Sequence, residues 1–492
     1  MADKDENALI KERKKKLDEL RSRGIEPYPY SYDTKHKTVE IIEKYKKLEK
    51  EQKTKDIVNV AGRLLSLRKM GKVVFAHLQD STGKLQLYFR QDNLGREKFN
   101  VLKFIDIGDI IGAKGTVFRT KMGEITVNVS KFQLLTKTLR PLPEKYHGLK
   151  DTELRYRKRY LDILINPEVK KIFEMRSKII SAIREFMDKE GFMDVETPTL
   201  QAIYGGANAK PFVTKHNALN SNFYLRISDE LYLKRLIIGG FEKVYEICKD
   251  FRNEGIDTTH NPEFTQMELY MAYADYNDMM MLTEKLFNFV AKKILGRNKL
   301  NYNGKTIDLK APWPRLPMKD AIKKYAKINV DKLDDHELKN MLRNYNVEYE
   351  GDFSRGKAIE LIFEELCEDK LFQPVFIIDH PKESTPLCKR HRLDPELVER
   401  VEPYIAGMEV GNGYSELNDP IEQKEKLKEQ VKQRKAGDEE AHPMDEDFVH
   451  AIEYGMPPTG GLGIGIDRMV MILTEQLSIR DVILFPTLKS EN

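Results

Sequence analysis

Two short stretches of the chain carry side chains suited to a phosphorylated substrate. Phe251-Arg252-Asn253-Glu254-Gly255 follows a strand-like stretch from Phe241 to Lys249 and precedes another from Glu263 to Tyr273, which predicts a hairpin with a polar loop. Arg252 offers a planar fork for carboxylate or phosphate oxygens, and Glu254 can accept from an adenine amino group. In the second strand, period-two alternation sets Phe264, Gln266, Glu268 and Tyr270 on one face. A half-buried strand face is ordinarily apolar, so an acid and an amide between two aromatics point to function; the plain alternative is a surface strand that exposes Gln266 and Glu268. The same alternation puts Asn412, Tyr414 and Glu416 together. Near the C-terminus, a glycine-rich strand, Pro457-Pro458-Thr459-Gly460-Gly461-Leu462-Gly463-Ile464-Gly465-Ile466-Asp467-Arg468, runs into the apolar helix Met469 to Leu473. Its glycines permit close approach of a nucleotide, and the helix N-terminus favours a phosphate. The spacing is not that of a dinucleotide fingerprint.

These residues need elements to hold them. From residue 168 to 190, apolar side chains recur at helical spacing (Val169, Ile172, Phe173, Ile179, Ile180, Ile183, Phe186, Met187), predicting a long helix ended by Gly191. Phe192 to Leu200 reads as a strand broken by Pro198. Upstream, the segments 57–68, 72–79, 84–90, 109–118 and 123–135 alternate as five strands, with a helix-like stretch from Asn93 to Phe104 after the third. That order fits an oligonucleotide-binding barrel. Arg68, Phe75 and Gln86 fall on or beside its first three strands, where a stacking aromatic and polar base readers would sit; core packing is the competing reading of Phe75. Residues 7–23 read as an amphipathic helix with a cationic face (Lys11, Arg13, Lys14, Lys15, Lys16), stopped by Gly24 and Pro27, and either solvated or a further nucleic-acid contact. Pro141 and Pro143 mark a linker, and residues 421–447 read as a solvated, charged helical insertion without chemistry.

Taken together, these segments resemble the three signature motifs of the class II aminoacyl-tRNA synthetases. The helix ending in Gly191-Phe192-Met193-Asp194-Val195-Glu196-Thr197-Pro198 looks like motif 1, the dimer element; the hairpin with Arg252 and Glu254 looks like motif 2; Gly461 to Leu473 looks like motif 3. An N-terminal anticodon barrel narrows the resemblance to the subgroup activating lysine, aspartate or asparagine. It is closest to the lysine-activating members through Gly205-Gly206-Ala207, Ala209-Lys210-Pro211-Phe212, Asn253, His260-Asn261-Pro262-Glu263-Phe264 and Tyr414-Ser415-Glu416-Leu417-Asn418-Asp419-Pro420. The implied fold class is α+β: a basic helical extension (1–56), a five-stranded OB-fold anticodon-binding barrel (57–137), a linker (138–150), and a catalytic domain of antiparallel sheet flanked by helices (151–492).

The resemblance implies ATP-dependent activation of L-lysine to lysyl-adenylate, with pyrophosphate released, and transfer of lysine to the terminal ribose of tRNA(Lys). It implies a lysine site at Gly206, Glu230, Arg252, Glu268, Tyr270, Asn412, Tyr414 and Glu416. For ATP it implies Arg252, Asn253, Glu254, His260, Asn261, Phe264, Glu409, Val410, Gly465, Ile466, Asp467 and Arg468. Glu402 and Glu409 match Mg2+ ligands, and with Arg252 and Arg468 they complete the catalytic set. Arg68, Phe75, Gln86 and Glu124 match readers of the anticodon, and motif 1 implies a homodimer. One departure is Cys248, where relatives often have glycine. The physics agrees with lysine as substrate: two acids and a phenol suit a primary ammonium and repel an acidic side chain. No nucleophile–base pair is evident, and none is needed for a reaction catalysed by positioning and charge neutralisation.

Composition is consistent with that reading. The 492 residues are 40% hydrophobic and 33% charged, as in a globular protein, and no apolar run approaches the roughly 18 residues of a membrane span. The charged start predicts no secretory signal, and three widely spaced cysteines predict neither a disulfide framework nor a paired zinc site, so a cytoplasmic location is expected. The net charge of +4 divides into +13 over the first 150 residues and −9 over the rest. A basic first third suits a polyanion, although charge also fluctuates between domains of any soluble protein. A non-catalytic tRNA-binding paralogue would lack Arg252, Glu402, Glu409 or Arg468, and all four are present.

Overall fold

The computed structural model describes residues 2–143, 149, 151–347, 349 and 353–489. Within the expected linker 138–150, residues 144–148 and 150 lie outside the described residues, and so do 348, 350–352 and 490–492 of the catalytic segment. The chain divides into two compact units, Met1–Gly148 and Leu149–Asn492. Among the described residues, no helix is long and apolar enough to cross a membrane.

The first unit is a closed barrel of β1 (Lys53–Met70), β2 (Val73–Gln79), β3 (Lys84–Arg90), β4 (Ile110–Arg119) and β5 (Ile125–Thr136), in the order β1-β2-β3-β5-β4 with β4 paired back to β1. Alternation dictates the packing: Val74, Ala76 and Leu78 of β2 and Leu85, Leu87 and Phe89 of β3 fill the interior, and the residues between them face outward. The helix expected from Asn93 to Phe104 is two short pieces, Gln91–Leu94 and Arg96–Val101, broken at Gly95, whose positive φ no helix accommodates. The N-terminal helix spans Ala2–Ser22. Part of its cationic face is committed within the unit and is not merely solvated. Arg13 is buried and donates to Ile107 O, Thr138 Oγ1 and Arg140 O, while Lys16 pairs with Asp106 at 2.7 Å.

The second unit is built on a mixed sheet. From one edge, the strands run Arg315–Pro317, Val375–Pro381, Leu397–Ile405, Gly411–Ser415, Thr459–Gly465, Glu263–Ala272, Lys243–Phe251 and Met193–Asp194. All neighbours are antiparallel except the outermost pair at each edge. One face is covered by the helices Pro167–Lys189, Tyr276–Leu295 and Ile466–Leu473, whose Ile183, Phe186, Met279, Leu286, Phe287, Met469 and Ile472 pack with Met267, Leu269, Leu462 and Ile464 of the strands. Each fully buried aliphatic or aromatic side chain there contributes about 1.5–3 kcal/mol. The other face bears polar residues. The expected strand from Phe192 to Leu200 survives only as Met193–Asp194 and Leu200–Gln201: Pro198 has no N–H, and Thr197 N donates to the Glu246 carboxylate at 3.0 Å and not to a strand.

The charged segment 421–447 is less solvated than its composition predicts. The helix Pro420–Lys435 buries Gln423 and Leu427, and the next helix, Glu446–Glu453, packs Phe448, Val449 and Ile452 against Leu231 and Leu387. The three cysteines are buried and free.

In the first unit Lys137 is fully buried, 2.8 Å from the equally buried Asp109 and 2.6 Å from Asp106. Removing one partner strands a charge in the interior. Lys137→Met is therefore expected to destabilise the barrel by about 3–5 kcal/mol. Faster hydrogen–deuterium exchange across β1–β5 checks this, with Trp313, the single tryptophan, serving as a fluorescent control in the second unit.

Candidate active site

Pleat parity builds the site. On the Glu263–Ala272 strand, Met267 and Leu269 point to the helices, so Gln266, Glu268 and Tyr270 point the other way, into a cavity of about 360 Å³. The neighbouring strands add Asn412, Tyr414 and Glu416 from one side, and Gly461, Gly463 and Gly465 between. The glycines are required by close approach: a Cβ on Gly461 would collide with Glu416 and Tyr270, and one on Gly463 would lie 2.7 Å from Glu268 Oε1. Gly206 and Glu230 complete this end of the cavity.

This end is rich in acid. Glu268 accepts from Gln266 Nε2 at 2.7 Å and from the Tyr270 hydroxyl at 3.2 Å. Burial, and the nearby charges of Glu230, Asp250 and Glu416, hold its carboxyl well above the usual range. Glu230 and Glu416 both contact the ammonium of the buried Lys234, each at 2.5 Å. Burial nevertheless pushes the Glu416 carboxyl up to about 8, against the lowering effect of Lys234. Glu416 Oε1 is buried and has no hydrogen-bond partner. A buried acceptor left unmade is costly, and a cation brought by a ligand would satisfy it.

The far end of the cavity suits a nucleotide. The Arg252 guanidinium lies 5.1 Å from the Phe264 ring centre, and its Nε is buried without a partner, a donor open to an anion. Arg468 donates to Glu409 O at 2.6 Å and lies 3.1 Å from His260 Nε2. Since arginine only donates, His260 accepts there and carries its proton on Nδ1, 2.8 Å from Asp257. Glu254, Asn261, Val410 and Gly465 also line this end. Two expected residues are not among its lining: Asn253 is exposed, with its N–H on Lys210 O, and the Ile466 side chain is fully buried in the helix-side core. Asp467 lines the cavity, but its carboxylate is occupied by Arg176 at 2.5 Å and Thr265 N at 2.7 Å, so it braces the helix.

Glu402 and Glu409 meet on the wall near Arg468, with Glu364 and Glu368 beside them. Arg400 holds Glu402 at 2.5 Å, and the Tyr404 hydroxyl lies 3.1 Å from Glu402 and 2.6 Å from Glu368. Burial and the charges of Glu409 and Glu402 push Glu368 up to about 7, and Glu409 is raised by its partial withdrawal from water and by Glu402. Four carboxylates gathered beside Arg400 and Arg468 present hard oxygen donors, which fits a magnesium-type ion. Glu409 reaches this wall from Met408–Glu409, a two-residue strand off the alternation of Asn412, Tyr414 and Glu416.

Sequence reasoning passed over Lys234, Arg400, Tyr404 and His442. Lys234 was legible as an i,i+4 partner of Glu230, and Arg400, Glu402 and Tyr404 share one strand parity. His442 belongs to the charged segment expected to carry no chemistry; it is buried and lines the cavity, held neutral down to about pH 4 by burial and by Lys234.

The barrel carries a second cavity of about 860 Å³, lined by Arg68, Phe75, Gln86 and Glu124. Phe75 faces outward, 4.6 Å from the Tyr88 ring, and so is not a core residue. Gln86 donates to Glu124 at 2.6 Å, and His77 lies 2.8 Å from its other oxygen.

Residues 151–489 match the class II tRNA synthetases (D, K and N), and residues 58–135 match the OB-fold nucleic acid binding domain. The chain is 54% identical to a lysine–tRNA ligase of Pelotomaculum thermopropionicum over 99% of its own length and 96% of the relative's. Lysine–tRNA ligases of a Thermoanaerobacter species (53%; 99% and 97% covered) and Clostridium novyi (52%; 98% and 95%) match as fully. The chain belongs to the lysine–tRNA ligase family. The two matches correspond to the two folds described, an oligonucleotide-binding barrel and a class II synthetase domain.

For a lysine–tRNA ligase the raised Glu416 has a measurable consequence. An ammonium brought against Glu416 would stabilise its ionised form, so that binding near pH 7 would expel the proton that the free site holds. Lysine affinity is then expected to increase as pH rises toward about 8, by up to about tenfold per unit. Titration calorimetry in buffers of different ionisation heat would register the released proton; affinity flat from pH 6 to 8 contradicts it.

Proposed function

We propose that the cavity activates lysine with ATP and passes it to tRNA, with the acid-rich end holding the amino acid and the Arg252–Arg468 end holding the nucleotide. The observation that carries this reading is the buried, unpartnered Glu416 Oε1 beside Glu230 and Tyr270. In this reading Glu230, Tyr270 and Glu416 receive the side-chain ammonium, Gly206 and Glu268 the α-amino group, and Asn412 and Tyr414 line the channel between them. The lysine carboxylate oxygen attacks the α-phosphorus, and the bond to pyrophosphate breaks. The ribose hydroxyl of tRNA then attacks the acyl carbon, and AMP leaves. Arg252 bridges carboxylate and α-phosphate, Phe264 stacks on adenine, Glu254, His260 and Asn261 surround the base and ribose, and Arg468 takes the far phosphate. Glu402 and Glu409 would hold Mg2+, which when bound screens the triphosphate charge.

The same proposal takes Arg68, Phe75, Gln86 and Glu124 as anticodon contacts, 1–56, 57–137, 138–150 and 151–492 as the functional divisions, the long helix with residues 191–198 as a homodimer element, and the cytoplasm as the site of action. The basic first unit supports a tRNA partner.

ATP–pyrophosphate exchange with a panel of amino acids tests the substrate: stimulation by lysine is expected, and stimulation by aspartate or asparagine alone would sink the reading. Glu416→Gln should cost roughly 2 kcal/mol or more of lysine discrimination, because an ammonium partner becomes neutral. Phe75→Ala should weaken tRNA charging by about 1–3 kcal/mol and leave exchange intact; equal loss in both would assign Phe75 a structural role.

A further inference from the structure

Lys234 lies one turn beyond Glu230 on the helix Glu230–Ile238, behind the cavity wall. Glu230, Tyr270 and Glu416 line the cavity and Lys234 does not; it is fully buried. Its ammonium reaches Glu230 Oε1 and Glu416 Oε2 at 2.5 Å each, and stands 5.9 Å from the Tyr270 ring centre and 6.0 Å from that of Phe448. His442, also facing it, is held neutral and adds no charge, and Glu268 is occupied by Gln266 and Tyr270. With both acids ionised, two carboxylates and one resident ammonium sum to a single negative charge. Glu416 Oε1, turned from the ammonium's contact, is buried without a hydrogen-bond partner.

We propose that Lys234 is a positioning residue that sets specificity for a cationic side chain: it clamps Glu230 and Glu416 into a fixed pair whose residual charge a single substrate ammonium neutralises. The inference rests on reading Glu230, Tyr270 and Glu416 as the lysine side-chain pocket. With the clamp in place, a substrate ammonium answers the charge of an ionised Glu416, whereas an uncharged side chain of lysine's length leaves that charge unanswered or the acid protonated. Without it, two adjacent buried carboxylates cannot both ionise, so they take up protons, and the pocket loses its preference for a cation over an apolar chain. Specificity then comes as much from the charge left uncompensated by a wrong substrate as from contacts to the right one.

The test is ATP–pyrophosphate exchange on the full chain with lysine and with norleucine, its uncharged analogue, comparing the native protein with Lys234→Met and Glu416→Gln. For Lys234→Met, the lysine KM should rise about 30-fold while kcat stays within about threefold, and the preference for lysine over norleucine should fall by at least about tenfold. In Lys234→Ala, added propylammonium should restore much of the lysine KM and propanol should not, which a merely structural side chain would not produce. A Lys234→Met protein with native KM and native preference overturns the inference, as does parallel loss of kcat and kcat/KM without rescue by the amine. Should Lys234→Met not fold, Lys234→Gln removes the charge with less loss of hydrogen bonding; failure of both to fold assigns the ammonium to the scaffold and also overturns it. If Glu416→Gln raises the lysine KM and Lys234→Met does not, only this inference fails. If neither variant moves it, the pocket reading fails with it.

Discussion

Burying a carboxylate costs several kcal/mol unless something answers its charge, and the second unit buries Glu230, Glu268, Glu402 and Glu416 along one side of one sheet. The surrounding arrangement follows from meeting that cost. Lys234 serves two of the acids, Gln266 and Tyr270 serve the third, and Arg400 with Tyr404 serves the fourth. What these partners leave over is informative. Glu416 Oε1 at one end and Arg252 Nε at the other are a buried acceptor and a buried donor with no protein group to meet them. A molecule with an ammonium at one end and anionic oxygens at the other answers both, and a lysine with its carboxylate beside a triphosphate is such a molecule.

Not every buried acid implies a ligand. Asp229 converges with Glu246 and Cys248 of the Lys243–Phe251 strand. There Arg226 donates to Glu246 at 2.7 Å and lies 3.4 Å from Asp250, so a guanidinium already stands where a cation would go. Burial holds the Asp229 carboxyl far above its usual range and the Cys248 thiol likewise, which leaves both as neutral groups against one arginine. Cys248 is thus a small packed thiol in a charge-balanced interior, and its departure from glycine is tolerated on those terms.

Much of this was legible before any coordinates because sheets obey parity. The five barrel strands, the hairpin around Arg252 and the shared face of Asn412, Tyr414 and Glu416 all follow from a period of two, and the long helix follows from a period of 3.6. Parity breaks where the chain leaves a strand. It could not place Glu409, on a two-residue strand, or tell that Asn253 is exposed in its loop while Arg252 and Glu254 line the cavity. The helix begins at Ile466, about one turn before Met469, and the Ile466 side chain lies in the core. The charged segment misled in another way: composition reports the solvated face of a helix and is silent about the few residues, such as Leu427 and His442, that the other face buries.

Parity also decides between the two readings that the sequence offers for Phe75. Val74 and Ala76 enter the barrel core, so Phe75 cannot, and its ring lies instead on the outer surface against Tyr88. A half-buried aromatic pair on the outer face of a barrel whose unit carries a net charge of +12 is a costly use of apolar surface unless bases stack on it. Glu124 supports the same conclusion from the opposite sign. An acid at the rim of a basic surface works against phosphate attraction, and here it is held by Gln86 and His77 so that its oxygens and the Gln86 amide form one fixed hydrogen-bonding edge. Under the proposed anticodon reading, such an edge would add little to non-specific attraction for a polyanion and would serve to distinguish one base from another.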